Sequence, residues 1–253
     1  MISIDLHGKN ALVTGASGEL GRTISRTLAK CGCNIAIHYF QNEAKAQALQ
    51  KEIESLGQKA FLVQADLTKQ NDVQRLQSQV EQGLGTIDVL VLNAVAQYMW
   101  KPLLEQDVAD YVQQFESTVM QAVLMTKAFL PAMVAQHSGR VIAINTECTM
   151  QCLPTQSAYV GGKRGMDGIL RVLAREVGPH NITVNQVAPG WTETEKERVQ
   201  PSQSANYEQG VPLRRRGTDQ DIANSVVFLA SELASFITGA YLPVTGGNVM
   251  PSI

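Results

Sequence analysis

The chain has 253 residues, 44% hydrophobic and 17% charged, with a formal net charge of −2. That is the composition of a globule with one sizeable core, and it excludes a disordered chain or one that coats nucleic acid. The basic run Arg214 to Arg216 reads as a solvated loop. No window reaches about 18 uncharged apolar residues, and the opening MISIDLHGK has Asp5 where a secretory signal needs an apolar stretch. A cytoplasmic enzyme is expected, with neither nucleic acid nor membrane as partner.

Along the chain, short β-branched apolar runs alternate with longer amphipathic stretches. NALVT (10–14) is followed by the turn TGASGELG and a helix predicted over 19–31. NIAIHY (34–39), a helix over 42–56, AFLVQ (60–64) and a helix over 69–83 come next. Then come DVLVLN (88–93), a long helix over 104–136, RVIAIN (140–145) and a helix over 157–178. ITVNQV (182–187), a helix over 219–230 and AYLPV (240–244) complete the series. Gly57 and the pair Gly178-Pro179 mark helix stops. Runs that are apolar on both faces suit buried parallel strands. Repetition of the unit predicts an α/β fold: a doubly wound, seven-stranded parallel sheet with helices on both faces, a Rossmann fold, in a single domain over 1–253.

The polar stretch from Trp191 to about Leu213 is longer than most connections and follows a late strand. It reads as a substrate lid at the carboxyl edge of the sheet, with a disordered surface loop as the alternative. Cys31 and Cys33 precede a strand whereas Cys148 and Cys152 follow one, so the two pairs fall at opposite edges and no metal site is expected. GASGE stops short of a G-x-S-x-G nucleophile elbow because Glu19 takes the last glycine place.

A glycine turn between a first strand and helix lets backbone N–H groups approach a pyrophosphate at the helix N-terminus. On this turn and the motifs that follow, the sequence resembles the short-chain dehydrogenase/reductase family from about residue 6 to 249. Thr14, Gly15 and Gly21 match the family's T-G-x-x-x-G-x-G, while Glu19 stands in the middle glycine place and a glycine comes one residue early, at Gly18. A carboxylate about 5 Å from a cofactor phosphate would cost roughly 3 kcal/mol at an effective dielectric near 20, unless it points elsewhere. The resemblance assigns the cofactor to Gly15, Ser17, Gly18, Leu20 and Gly21 of the turn and to Asp66 and Leu67 after the third strand. It adds Asn93 and Ala94 after the fourth, and Pro189, Gly190, Thr192 and Thr194 of the P-G-x-x-x-T stretch. Where NAD enzymes keep an acid after the second strand this chain has Tyr39, which favours NADP(H) over NAD(H), although Gln41 fills the place of a phosphate-binding arginine.

YVGGK puts Tyr159 and Lys163 on one side of a helix, where the family keeps its catalytic pair. Reduction of a carbonyl builds charge on oxygen and needs a proton donor within hydrogen-bond reach. A phenol near pKa 10 needs roughly 3 to 4 kcal/mol of phenolate stabilisation to titrate near neutrality, and an ammonium acts in that direction. Lys163 is also the ribose anchor by resemblance. Thr146 takes the place of the family's serine and Thr118 that of its asparagine; a hydroxyl cannot replace both halves of an amide, so a slowed proton relay is expected.

The resemblance therefore implies a ketone reductase or secondary-alcohol dehydrogenase of the 3-oxoacyl-[acyl-carrier-protein] reductase type. Members that grip acyl carrier protein have basic residues where this chain has His137 and His180, so a free small molecule is preferred. Tyr98, Met99, Trp100, Met150, Leu153 and Trp191 are the expected apolar lining, and a homotetramer or homodimer is expected. The alternative, drawn from Glu19, Leu92, Val95 and Thr118, is a chain that keeps the fold but serves as a ligand-binding or assembly protein.

Overall fold

Seven strands, β1 (Asn10–Val13), β2 (Asn34–Tyr39), β3 (Ala60–Gln64), β4 (Val89–Leu92), β5 (Gly139–Ile144), β6 (Ile182–Pro189) and β7 (Tyr241–Val244), form one sheet. It is parallel throughout, in the order β3-β2-β1-β4-β5-β6-β7. The coordinates, a computed structural model, describe residues 4–199 and 204–251. The helices in chain order are α1 (Glu19–Lys30), α2 (Glu43–Ser55), α3 (Gln70–Gly83), α4 (Val108–Gln114), α5 (Gln121–Ala135) and α6 (Cys148–Gln151). They continue with α7 (Ser157–Val177), α8 (Glu195–Val199), α9 (Ala205–Gly210) and α10 (Asp219–Ala230).

Side chains of the central strands alternate between two cores. Val13, Val91 and Ile142 face a cluster built with Ile24 and Leu28 of α1, Leu49 and Ile53 of α2, and Ile222 and Val226 of α10. Leu12, Leu90 and Val141 face the other way, against Leu76 of α3, Phe129 of α5 and Met166 and Leu170 of α7. Each such side chain contributes about 1.5–3 kcal/mol of burial, which is why both faces of these strands are apolar. Order reversal between β1 and β4 opens a crevice at the carboxyl ends of the strands, the position in which such sheets bind ligands.

The predicted elements match the observed ones to within two residues, with three differences. The long helix starts at Val108, since the amides of Glu105 and Gln106 bond back to the Pro102 carbonyl in a turn. It is also interrupted: α4 and α5 are joined by a π-helical segment, Phe115–Met120. By length and composition Val108–Ala135 could cross a bilayer, but half of that window is buried within the protein. Thirdly, α6, α8 and α9 were not anticipated; they are short, and α8 and α9 lie in the stretch read as a lid, of which residues 200–203 lie outside the described residues.

Candidate active site

Two glycines of the first turn are required by contact. Gly15 has φ +63°, and a Cβ there would sit 3.1 Å from Ala94 Cα; at Gly21 it would be 2.2 Å from the Gly15 carbonyl oxygen. Gly18 caps α1 with φ −76°, so it needs no left-handed backbone. Ser17 is half-buried and Leu20 packs on the core. Thr14 ties this turn to the end of β4: its hydroxyl donates to the Val91 carbonyl at 3.2 Å and accepts from the amides of Asn93 at 2.8 Å and Ala94 at 3.0 Å. Asn93 Nδ2 returns a bond to the Thr14 carbonyl at 2.9 Å.

Glu19 is turned away from this cradle. Its carboxylate accepts from Arg22 at 2.9 Å, Lys45 at 3.3 Å and the Lys196 amide at 3.3 Å. Partial burial opposes the charge, but Arg22 and Lys45 outweigh it and hold the carboxyl below its ordinary range. Opposite charge from Arg22 and Lys45 therefore accompanies the carboxylate that a phosphate would otherwise meet alone. Arg22 and Arg26 also pair with Glu195, so α8 is fastened to α1.

At the far end of the crevice Tyr39 is buried at the end of β2, and Leu67 lies in the core. Asp66 is half-buried, with Oδ1 accepting from the Thr68 amide at 3.0 Å and hydroxyl at 2.7 Å. Behind the turn, His38 Nδ1 accepts from the Gly15 amide at 2.9 Å and Nε2 lies 3.1 Å from the Ala65 carbonyl. A neutral ring protonated on Nε2 satisfies both. Burial pushes its pKa down to about 4, against the Ala65 carbonyl and Asp66, which act the other way.

That shift has a sign for stability. Above the unfolded value of about 6.5 the ring is neutral in both states; between 6.5 and 4 only the unfolded chain takes up the proton, so stability falls as pH falls. The loss attributable to His38 is on the order of 3 kcal/mol by pH 4. Urea unfolding at pH 7 and pH 4.5 should show a clearly smaller pH-linked loss in His38→Asn than in the parent; equal losses would remove His38 as the cause.

Three of the four catalytic candidates meet at the carboxyl ends of β5 and β6. Thr146 is buried just past β5; its amide donates to Asn145 Oδ1 at 2.9 Å, and the Tyr241 hydroxyl donates to its carbonyl at 2.6 Å. Tyr159, half-buried near the start of α7, stacks on Trp100 with ring centroids 5.7 Å apart. Burial, with Cys148 nearby, pushes the Tyr159 phenol up, and the nearby Thr146 hydroxyl acts in the opposite direction. Lys163 is buried one turn on, with Nζ 6.0 Å from the Tyr159 ring centroid and donating to the Ile144 carbonyl at 2.6 Å. Burial lowers its pKa to about 8. Thr118 lies in the π-helical segment, where its hydroxyl donates to the Gln114 carbonyl. A Cβ on Gly162 would come within 2.6 Å of the Thr118 hydroxyl, so this glycine permits α7 to approach that segment.

A cavity of about 390 Å³ opens beside Thr146 and Tyr159. Of the expected lining, Tyr98, Trp100, Leu153 and Trp191 border it. Met99 and Met150 do not: Met99 is 75% exposed, and Met150 belongs to α6 outside the wall. Sequence reasoning missed Gln97, Glu147, Cys148, Gln151, Gln156 and Tyr207, which complete much of the wall. For Glu147 a signal existed: a charged residue directly after Thr146, at the end of an apolar strand. Pro189 is buried, Thr192 donates to the Gly190 carbonyl at 2.9 Å, and Thr194 starts α8 by accepting the Arg198 amide at 3.0 Å.

The reading of Arg214 to Arg216 as a solvated run is corrected at its last member. Arg216 is 7% exposed, donates to the Thr192 carbonyl at 2.8 Å, pairs with Glu197 and lies 4.6 Å from the Trp191 ring centroid. A guanidinium can close so many contacts at once because its donors are planar and fixed. The pairs Arg216–Glu197, Arg198–Asp219 and Arg26–Glu195 pin α8 in place, which a hydrophobic pattern cannot reveal.

Residues 15–248 match the family model described as Enoyl-(Acyl carrier protein) reductase. The chain is 35% identical to the 3-oxoacyl-[acyl-carrier-protein] reductase FabG of Staphylococcus epidermidis, over 96% of this chain and 99% of that protein. It is 33% identical to the uncharacterized oxidoreductase YmfI of Bacillus subtilis, over 94% of this chain and 98% of that protein. Among solved structures it is similar to the promiscuous reductase LugOII, which catalyses keto-reduction at C1 during lugdunomycin biosynthesis. That match has a TM-score of 0.91 and 32% identity, over 97% of this chain and 99% of that one. A 7α-hydroxysteroid dehydrogenase complexed with NADH and 7-oxo glycochenodeoxycholic acid also has a TM-score of 0.91, at 29% identity over 99% of both chains.

Proposed function

The chain belongs to the short-chain dehydrogenase/reductase family, and on that premise we propose that it reduces a small ketone, or oxidises the matching secondary alcohol, with NADP(H). The observation that carries the reading is that Thr146 and Tyr159 border one cavity, beside Gly190, with Lys163 buried behind the Tyr159 ring. The close turn that Gly15 and Gly21 permit, where a Cβ would meet Ala94 or the Gly15 carbonyl, fits a bound dinucleotide. Gly15, Ser17, Gly18, Leu20 and Gly21 would hold its pyrophosphate, Tyr39, Asp66 and Leu67 its adenosine end, and Asn93, Ala94, Lys163, Pro189, Gly190, Thr192 and Thr194 its nicotinamide half. Bound, it supplies or accepts the hydride. NADP(H) is preferred because Tyr39 presents no carboxylate and Lys45, beside Glu19, adds a cation at the start of α2.

Tyr159 acts as general acid and base. A phenol pushed up by burial stays protonated at neutral pH, the form that can donate to a carbonyl becoming an alkoxide. Thr146 orients the carbonyl from the other side. Lys163, with a pKa of about 8, is mostly an ammonium at pH 7 and stabilises the phenolate left behind. Thr118, its hydroxyl committed to Gln114, returns the proton slowly. Trp191 and Tyr207 cover the substrate as part of the segment 191–213. A cytoplasmic homotetramer or homodimer belongs to the same reading, supported by the exposed side chains of Val112, Phe115, Val172 and Phe236.

Of the residues behind the alternative of binding without turnover, Glu19 is engaged by Arg22 and Lys45, while Leu92, Val95 and Thr118 still support it. NADPH consumption with a panel of small neutral ketones tests the proposal, which expects turnover with at least one and fails if cofactor-bound protein turns over none. For the relay, Thr118→Asn should raise turnover by roughly tenfold at unchanged cofactor affinity. No gain with cofactor bound would count against a role for that position.

A further inference from the structure

Glu147 follows Thr146 beyond β5 and is 4% exposed, yet it borders the cavity. Its carboxylate accepts from the Tyr207 hydroxyl at 2.8 Å and from Asn248 Nδ2 at 2.9 Å. Among the described residues no Lys, Arg or His lies within ion-pair distance of it. Both donors are neutral, so no cation among the described residues is matched to this carboxylate, and two donors use only about half of its acceptor sites.

No Lys or Arg borders this cavity among the described residues. Trp100, Trp191 and Tyr207 present rings, whose faces attract cations. Arg216 stacked on Trp191 shows that attraction on one of them. We propose that Glu147 is the anionic half of a cation-recognition subsite, and that the molecule reacting at Tyr159 carries a protonated amine: an amino ketone or the corresponding amino alcohol. The choice of substrate rests on the reductase reading; the subsite does not. Its charge also selects against substrates ending in carboxylate or phosphate.

Trp100 and Trp191 are the chain's two tryptophans and both border the cavity, so intrinsic fluorescence reports its occupancy. Benzylammonium and benzyl alcohol, matched in size, are titrated at equal ionic strength. The expected result is binding of benzylammonium about tenfold tighter, with Glu147→Gln bringing the two probes to within about twofold. A parent preference under about twofold, or one that survives Glu147→Gln, overturns the proposal. So does an effect of Glu147→Gln confined to oxidised nicotinamide, which would assign the charge to the cofactor. Should the variant not fold, the comparison in the parent protein decides. NADPH consumption with a neutral ketone is read on the same samples; its absence defeats the reductase reading, whereas the ammonium preference is measured without turnover.

Discussion

Tyr159→Phe is expected to lower carbonyl reduction by about 10²–10⁴-fold while leaving NADPH affinity and Tm nearly unchanged. The substitution removes one hydroxyl at the cavity wall beside Thr146 and keeps the ring that stacks on Trp100. Of the other titratable groups bordering the cavity, Cys148 is pushed up by burial, Glu147 is engaged by Tyr207 and Asn248, and the Tyr98 hydroxyl accepts from the Tyr159 amide. Steady-state kcat/KM beside a nicotinamide-fluorescence titration separates the effects. A loss below about tenfold, or one matched by lost cofactor affinity, would remove Tyr159 from the donor role. Reduction by the parent enzyme should also decline as pH rises through about 8, where Lys163 loses its charge.

Gly21→Ala should be the most damaging change of one methyl group in the first turn. Its Cβ would stand 2.2 Å from the Gly15 oxygen and 2.8 Å from Ala16 Cα, both backbone atoms that no rotamer change can move. Overpacking of this kind costs about 1–3 kcal/mol or more. Because the strain falls on the pyrophosphate cradle, cofactor affinity should drop by about a hundredfold, equivalent to roughly 3 kcal/mol. Gly18→Ala is the control: its Cβ would lie 3.1 Å from the same oxygen, and φ −76° suits any residue. Thermal unfolding and NADPH titration of both variants check this; similar behaviour of the two would contradict the packing argument.

The fold was legible because its information is local and periodic. Strands buried on both faces, such as VLVL of β4, and helices that stop at Gly57 or Gly178 announce themselves one element at a time. That Tyr159 and Lys163 share one side of α7 was legible too, because a spacing of four residues on a helix fixes a shared face, whereas Thr146 could be singled out only by the family resemblance. What stayed hidden depends on partners distant in the sequence. The orientation of Glu19 is decided by Lys45 and by the amide of Lys196, and the burial of Arg216 by Glu197 and Trp191. The π-helical segment gave no compositional sign, since Thr118 bonds back within its own helix. Glu147 was passed over for a related reason: its neighbours Tyr207 and Asn248 come from α9 and from the residues after β7.

Titration of the purified protein with NADPH and with NADH, followed by nicotinamide fluorescence, tests the account most directly. It predicts saturable micromolar binding of NADPH and weaker binding of NADH, the turn TGASGELG working with its glutamate held by Arg22 and Lys45. No binding of either dinucleotide would contradict it.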